Sequence, residues 1–126
     1  MTLDIKIIKR KNYVYLVQLQ GSIDTETYTH LENELAEIMG EPTKAIIFDM
    51  TGVKYISSIG IKVIIETKKN LEHRYATFTL VNLQPQIKKV LDMMKILPMV
   101  DIFDDMPEAD KYIDQVIKEE IEKQAI

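Results

Sequence analysis

Polar and apolar positions alternate from the start of the chain. Leu3, Ile5 and Ile7 are separated by Asp4 and Lys6, which predicts a half-buried strand over residues 3–8. Lys9-Arg10-Lys11-Asn12 is a polar turn. Tyr13-Val14-Tyr15-Leu16-Val17-Gln18-Leu19 is dense in β-branched and aromatic side chains, which suit a pleated surface. Strand, short turn and strand predict an antiparallel hairpin, and Gly21 breaks the run. The period then changes: Tyr28, Leu31, Leu35 and Ile38 recur at steps of three and four, the stripe of an amphipathic helix. Asp24 or Thr25 supplies its cap, and Gly40 and Pro42 stop it near Met39. Ala45-Ile46-Ile47-Phe48 lacks polar alternation, as a strand covered on both faces does. Residues 49–54, with Gly52, read as a loop.

Residues 55–65 fit two periods. Five Ile and one Val favour a strand, yet Ile61, Ile64, Ile65 and Lys68 also fall on helical spacing. A strand is expected at residues 77–81. Pro85 then opens a helix with Ile87, Val90, Leu91 and Met94 on its inner face, ending at Ile96 or Leu97 before Pro98. Residues 100–103 read as an edge strand. Asp105 with Glu108 resembles a capping box, and Ala109, Tyr112, Ile113, Val116, Ile117 and Ile121 line a last helix. The order β β α β (α) β α β α predicts an α/β fold: a mixed sheet opened by a hairpin, with helices packed on it and parallel pairing after the hairpin.

Length and composition narrow the chemistry. The 126 residues suit one domain, with 46% hydrophobic and 29% charged side chains, as in ordinary globular proteins. Sixteen Lys and Arg against twenty Asp and Glu leave −4, which argues against a generic nucleic-acid binder. The absence of cysteine excludes disulfides and thiolate chemistry and fits the cytoplasm. No apolar run approaches the roughly 20 residues that cross a bilayer, and the first residues lack the layout of an export signal, so no membrane contact is expected.

Catalysis finds little material. Hydrolysis through a nucleophile needs a base, and only His30 and His73 are present, both read as surface residues. Ser58 lacks a Gly-x-Ser-x-Gly setting, and no phosphate-cradling glycine loop occurs. Asp101, Asp104 and Asp105 read as a solvated loop plus a cap, with no calcium-loop pattern. An enzyme, a metal or another cofactor is therefore not expected. Met93, Met94, Met99 and Met106 read as core fillers, with a soft docking surface as the alternative.

Ser57 and Ser58 remain. On the residues alone, a helix N-cap is the simplest account. The functional account makes one hydroxyl a phosphorylation site, since a helix N-terminus favours an anion and phosphate adds about −1.5 to −2 charges. Among Ile56, Ile59 and Ile61 that charge would abolish an apolar contact without unfolding the chain. Tyr55, a second candidate acceptor, reads as packing.

Gly21-Ser22-Ile23-Asp24, the strand at residues 45–49 and Val53-Lys54-Tyr55-Ile56-Ser57-Ser58-Ile59-Gly60-Ile61 together resemble the STAS domain of bacterial anti-sigma factor antagonists. Val81-Asn82 followed by a helix, then Ile102-Phe103, continues the likeness. It implies one STAS domain over residues 1–126, with a family-like core at about 3–117, a last helix reaching about 123, about four helices in all, and a helix after Ser58. It implies partner switching as well: the antagonist sequesters an anti-sigma factor that is an ATP-dependent serine kinase, freeing a sigma factor for transcription. Phosphorylation releases the antagonist, and a metal-dependent serine phosphatase resets it. Ser58 stands at the phosphorylated position, and Asp24 matches an acidic residue implicated in docking and phosphorylation. Asp24, Thr25, Ser57, Ser58, Ile59, Gly60 and Lys62 are the expected partner-binding residues of a chain that is monomeric or weakly dimeric. Ser57 departs from the Asp common before the target serine, and Ile59 from a small or hydroxyl residue. The alternatives are a scaffold STAS domain of a signalling complex and a small-molecule or nucleotide-binding STAS module.

Overall fold

In the computed structural model, which describes residues 2–124, the alternating N-terminal positions form the expected hairpin: Leu3–Arg10 (β1) runs antiparallel to Val14–Ile23 (β2). The turn between them, Lys11–Tyr13, holds Asn12 and Tyr13 in left-handed backbone at φ of 62° and 56°. Helix Tyr28–Met39 (α1) follows, then strand Ala45–Ile56 (β3), helix Ser58–His73 (α2), strand Thr77–Val81 (β4), helix Pro85–Met93 (α3), strand Asp101–Phe103 (β5) and helix Met106–Gln124 (α4). The sheet has five strands in the order β1-β2-β3-β4-β5, and every pairing after the hairpin is parallel.

Period-two alternation divides the strands between two apolar layers. Val17, Leu19, Ile46, Phe48, Phe78 and Leu80 pack with Leu31 and Leu35 of α1, Ile61 and Ile64 of α2, and Ile87 and Leu91 of α3. Val14, Ala45, Ile47 and Val81 pack with Ala109 and Ile113 of α4. Residues 45–48 are therefore covered on both faces, as their unbroken apolar run predicts.

Expectations change in β2 and β3, at the end of α3 and among the methionines. Residues 49–54 are strand, not loop. The Asp49 carboxylate accepts from the Thr51 N–H at 3.1 Å and the Thr51 hydroxyl at 2.6 Å, so its turn chemistry is met inside β3. The β2–β3 register shifts between Gln18 and Gln20 and between Gly21 and Ser22; these irregularities absorb Gly52, which suggested a loop, and Gly21, which was expected to break β2 but lies within it. The helix after Ser58 that the resemblance implies is present, and it settles the two periods of this stretch: the packed face of Ile61, Ile64 and Leu71 outweighs β-propensity. Helix α3 ends at Met93, so Met94 leaves the inner stripe. Met93, Met94 and Met99 are exposed and are not core fillers, whereas Met106 packs in the α4 layer.

The caps follow from side-chain chemistry. Asp105 Oδ1 accepts from the Glu108 N–H at 3.0 Å at the start of α4, as the sequence predicts. Before α1, Asp24 Oδ1 accepts from the N–H groups of Glu26 at 2.9 Å and Thr27 at 3.2 Å, closing a turn from which the helix starts at Tyr28. Thr25, the other expected cap, is exposed beside that turn.

Candidate functional site

Parallel pairing of β2 with β3 sets Ser22 against Tyr55 and Ile23 against Ile56, so the Gly-Ser-Ile-Asp and Ser-Ser-Ile-Gly segments leave the sheet side by side. The Ser57 N–H donates to the Ile23 carbonyl at 2.9 Å, which fixes the end of β3 to the end of β2. Ser57 is extended, at φ −92° and ψ 174°, and its carbonyl accepts from the Ile61 N–H at 3.0 Å to begin α2.

Gly60 controls how closely this first turn sits. A Cβ there would lie 2.7 Å from the Ile23 carbonyl oxygen and 2.7 Å from Ile56 Cγ1, so only glycine lets α2 press against the strand ends. The turn before α1 is built from the same junction. The Thr27 hydroxyl donates to the Ser22 carbonyl at 2.7 Å and accepts from the Asp24 N–H at 3.0 Å. Asp24 is 5% exposed, and its Oδ2 is buried without a partner. Asp24 thus holds the turn beside α2 from beneath.

The two serines part company here. Ser58 is exposed on the first turn of α2. Ser57 is half-buried, and its Oγ is sealed from solvent with no hydrogen-bond partner. Ser57 therefore occupies the N-cap position without capping through its side chain. The first-turn N–H groups of a helix have no partners within it, so this end carries partial positive charge beside the Ser58 hydroxyl.

The remaining predicted site residues form two shells. Thr25, Ser58 and Lys62 are exposed and Ile59 is half-buried, whereas Asp24 and Gly60 are buried and shape the surface without forming it. Lys62 stands 3.9 Å from Glu66, one helical turn on. Tyr55 is not packed away: it is 49% exposed, three residues before Ser58. The signal was present, since Val53 and Ile56 point inward and Lys54 and Tyr55 outward along β3. His30 and His73 are exposed, as expected. Among the described residues no three His, Asp or Glu side chains gather as a metal site, and no helix is long and apolar enough to cross a membrane.

Comparison with known proteins agrees with this geometry. The STAS domain family model matches residues 5–109. BtrV of Bordetella bronchiseptica, a candidate anti-sigma factor antagonist, is 26% identical over 84 residues, covering 67% of this chain and 72% of that one. RsfB of Mycobacterium tuberculosis, an anti-sigma-F factor antagonist, is 27% identical over 60 residues, covering 48% of this chain and 49% of that one. The crystal structure of an anti-sigma factor antagonist from Mycobacterium paratuberculosis superposes with a TM-score of 0.81 at 18% identity, covering 90% of this chain and 95% of that one. The matched family residues run from β1 into α4 and include both the Asp24 turn and the Ser57–Ser58 junction, and the chain belongs to the STAS domain family.

Proposed function

We propose that this chain is an anti-sigma factor antagonist, a non-enzymatic cytoplasmic module whose docking is switched by phosphorylation of Ser58. The observation that carries the reading is the exposure of Ser58 on the first turn of α2, beside a neighbouring hydroxyl that is sealed. The names of BtrV and RsfB support the same assignment. In the unmodified chain, Tyr55, Ser58, Ile59, Lys62 and Thr25 offer a mixed apolar and polar surface to an anti-sigma factor that is also an ATP-dependent serine kinase. Binding of that partner frees the sigma factor.

Phosphorylation transfers the γ-phosphoryl group of ATP to Ser58 Oγ: the new O–P bond forms as the bond to the β-phosphate oxygen breaks, ADP leaves and the hydroxyl proton is lost. The fold tolerates the product because the anion stands at the positive end of α2. The docked partner does not, because a group of about −1.5 to −2 charges must give up its water in the closed contact. A metal-dependent serine phosphatase restores the hydroxyl.

The test is a pull-down with the anti-sigma partner. Ser58→Asp is expected to weaken capture about tenfold or more, the scale of a buried unpaired charge. Ser58→Ala is expected to bind as wild type does and to resist modification by the partner and ATP. Equal retention of wild type and Ser58→Asp would count against the proposal.

A further inference from the structure

The open edge of the sheet carries a second surface. β1 pairs on one side only, with β2, and is eight residues long, whereas the opposite edge strand β5 has three. The Ser22 N–H donates to the Thr2 carbonyl at 2.9 Å, which makes residues 2 and 22 a hydrogen-bonded pair. Antiparallel alternation then turns the backbone groups of Asp4, Lys6, Ile8 and Arg10 toward β2. Those of Leu3, Ile5 and Ile7 face outward, away from the sheet. An edge of this kind is a template for another strand.

Charge selects the strand. Asp4 and Lys6 flank Ile5, are both exposed, and line a cleft with Gln18, Leu19, Gln20 and Asp49. Neither makes an ion pair among the described residues. We infer that a second copy of this chain docks on β1 antiparallel across a two-fold axis through Ile5. Leu3 then stands opposite Ile7 of the second copy and Ile5 opposite its counterpart, and these pairs exchange about six backbone hydrogen bonds. Asp4 faces Lys6 twice, in the non-hydrogen-bonded pairs where side chains approach most closely.

Other registers are disfavoured. A shift of two residues one way sets Lys6 against Lys6, and the other way Asp4 against Asp4. A larger shift sets Asp4 against Arg10, whose guanidinium already holds Asp110 at 2.7 Å. The chosen register also extends the half-buried Ile5 and Ile7 into a continuous apolar layer across the junction.

Sedimentation velocity over a concentration series tests the pairing with the full chain. Wild type is expected to pass from monomer to dimer. Asp4→Lys and Lys6→Asp each weaken association about tenfold or more, and the double variant Asp4→Lys/Lys6→Asp restores it, because the pairs re-form with their signs exchanged. Both positions are exposed and face Gln20 and Gln18 within the hairpin, so the variants keep the fold, which their melting curves check. In hydrogen exchange the Ile5 and Ile7 amides gain protection as wild-type concentration rises. A chain that stays monomeric at millimolar concentration, a dimer indifferent to Asp4→Lys, or protection confined to other strands would each overturn the inference. Protection of β1 only on addition of another protein would assign the edge to a foreign strand and equally reject self-pairing.

Discussion

A single methyl group at position 60 would collide with the Ile23 carbonyl, a backbone atom that cannot swing aside, because an added Cβ stands 2.7 Å from it. Gly60→Ala is therefore expected to lower stability by about 1–3 kcal/mol, the usual cost of overpacking, and to lift the first turn of α2. Urea unfolding measures the first effect and weaker capture by the partner the second; unchanged stability would mean that the turn is not held as described. The same turn explains what the residues alone left open. Two adjacent serines before a helix suggest a cap, and which hydroxyl faces water depends on contacts with β2 that lie more than thirty positions earlier in the chain. Asp24 was legible as a turn and capping residue from its type, but not its burial, since its place beneath the surface comes from the pairing of β2 with β3.

Helix ends were the least legible elements, and the reason is specific. In α2 the Ala76 N–H bonds to the Leu71 carbonyl at 2.8 Å and the Tyr75 N–H to Glu72 at 3.1 Å; in α3 the Ile96 N–H bonds to Leu91 at 2.9 Å and the Lys95 N–H to Asp92 at 3.0 Å. Both are Schellman endings, whose left-handed position ordinarily belongs to glycine. Tyr75 at φ 56° and Lys95 at φ 59° hold it here, so no glycine marked the stop and α3 was expected to run on to Ile96 or Leu97. Lys95→Gly should relieve this backbone strain and raise stability by about 0.5–1 kcal/mol, read as a higher urea midpoint at unchanged slope. A lowered midpoint would contradict it. The alternation of β1, the β-branched and aromatic density of β2 and the apolar run of β3 were readable because one face or both faces are buried. The extension of β3 through Asp49 and Gly52 was not, because a bulged strand and a loop use the same residues. Within residues 55–65, Tyr55 and Ile56 end β3 and the helix begins at Ser58; it took its form from tertiary contacts that no local period displays, and the family resemblance supplied what propensity did not.

At the scale of the molecule, the sheet separates two duties. α1, α2 and α3 cover one face and set the Ser58 junction at the carboxyl ends of β2 and β3, while α4 covers part of the other. Arg10 to Asp110 at 2.7 Å ties α4 to β1, and Lys44 to Glu120 at 3.1 Å ties it to the residue just before β3. Their side chains are a third or more exposed, so each contributes little beside the burial of Ala109 and Ile113. Asp110 raises the pKa of Arg10, chiefly through their hydrogen bond.

The Tyr112 hydroxyl donates to Asp101 Oδ2 at 3.1 Å, joining α4 to β5. Burial first, then the Asp101 charge and hydrogen bond, raise the Tyr112 phenol above its ordinary value. The neutral phenol is the form the fold favours. Its small contribution is therefore complete below about pH 10 and fades as pH rises through the raised folded value. Ultraviolet titration should find a late-ionising phenol that Tyr112→Phe lacks; identical native titrations would remove this link between the layers.

The switch itself is tested most directly by incubating the chain with its anti-sigma partner and ATP, then sequencing the Ser57-Ser58 peptide by mass spectrometry while recording how much complex remains. One phosphate on Ser58, none on Ser57, and loss of the complex in step with its appearance is the predicted result. Phosphate on Ser57 or Tyr55, or a complex that survives full modification of Ser58, would contradict the account.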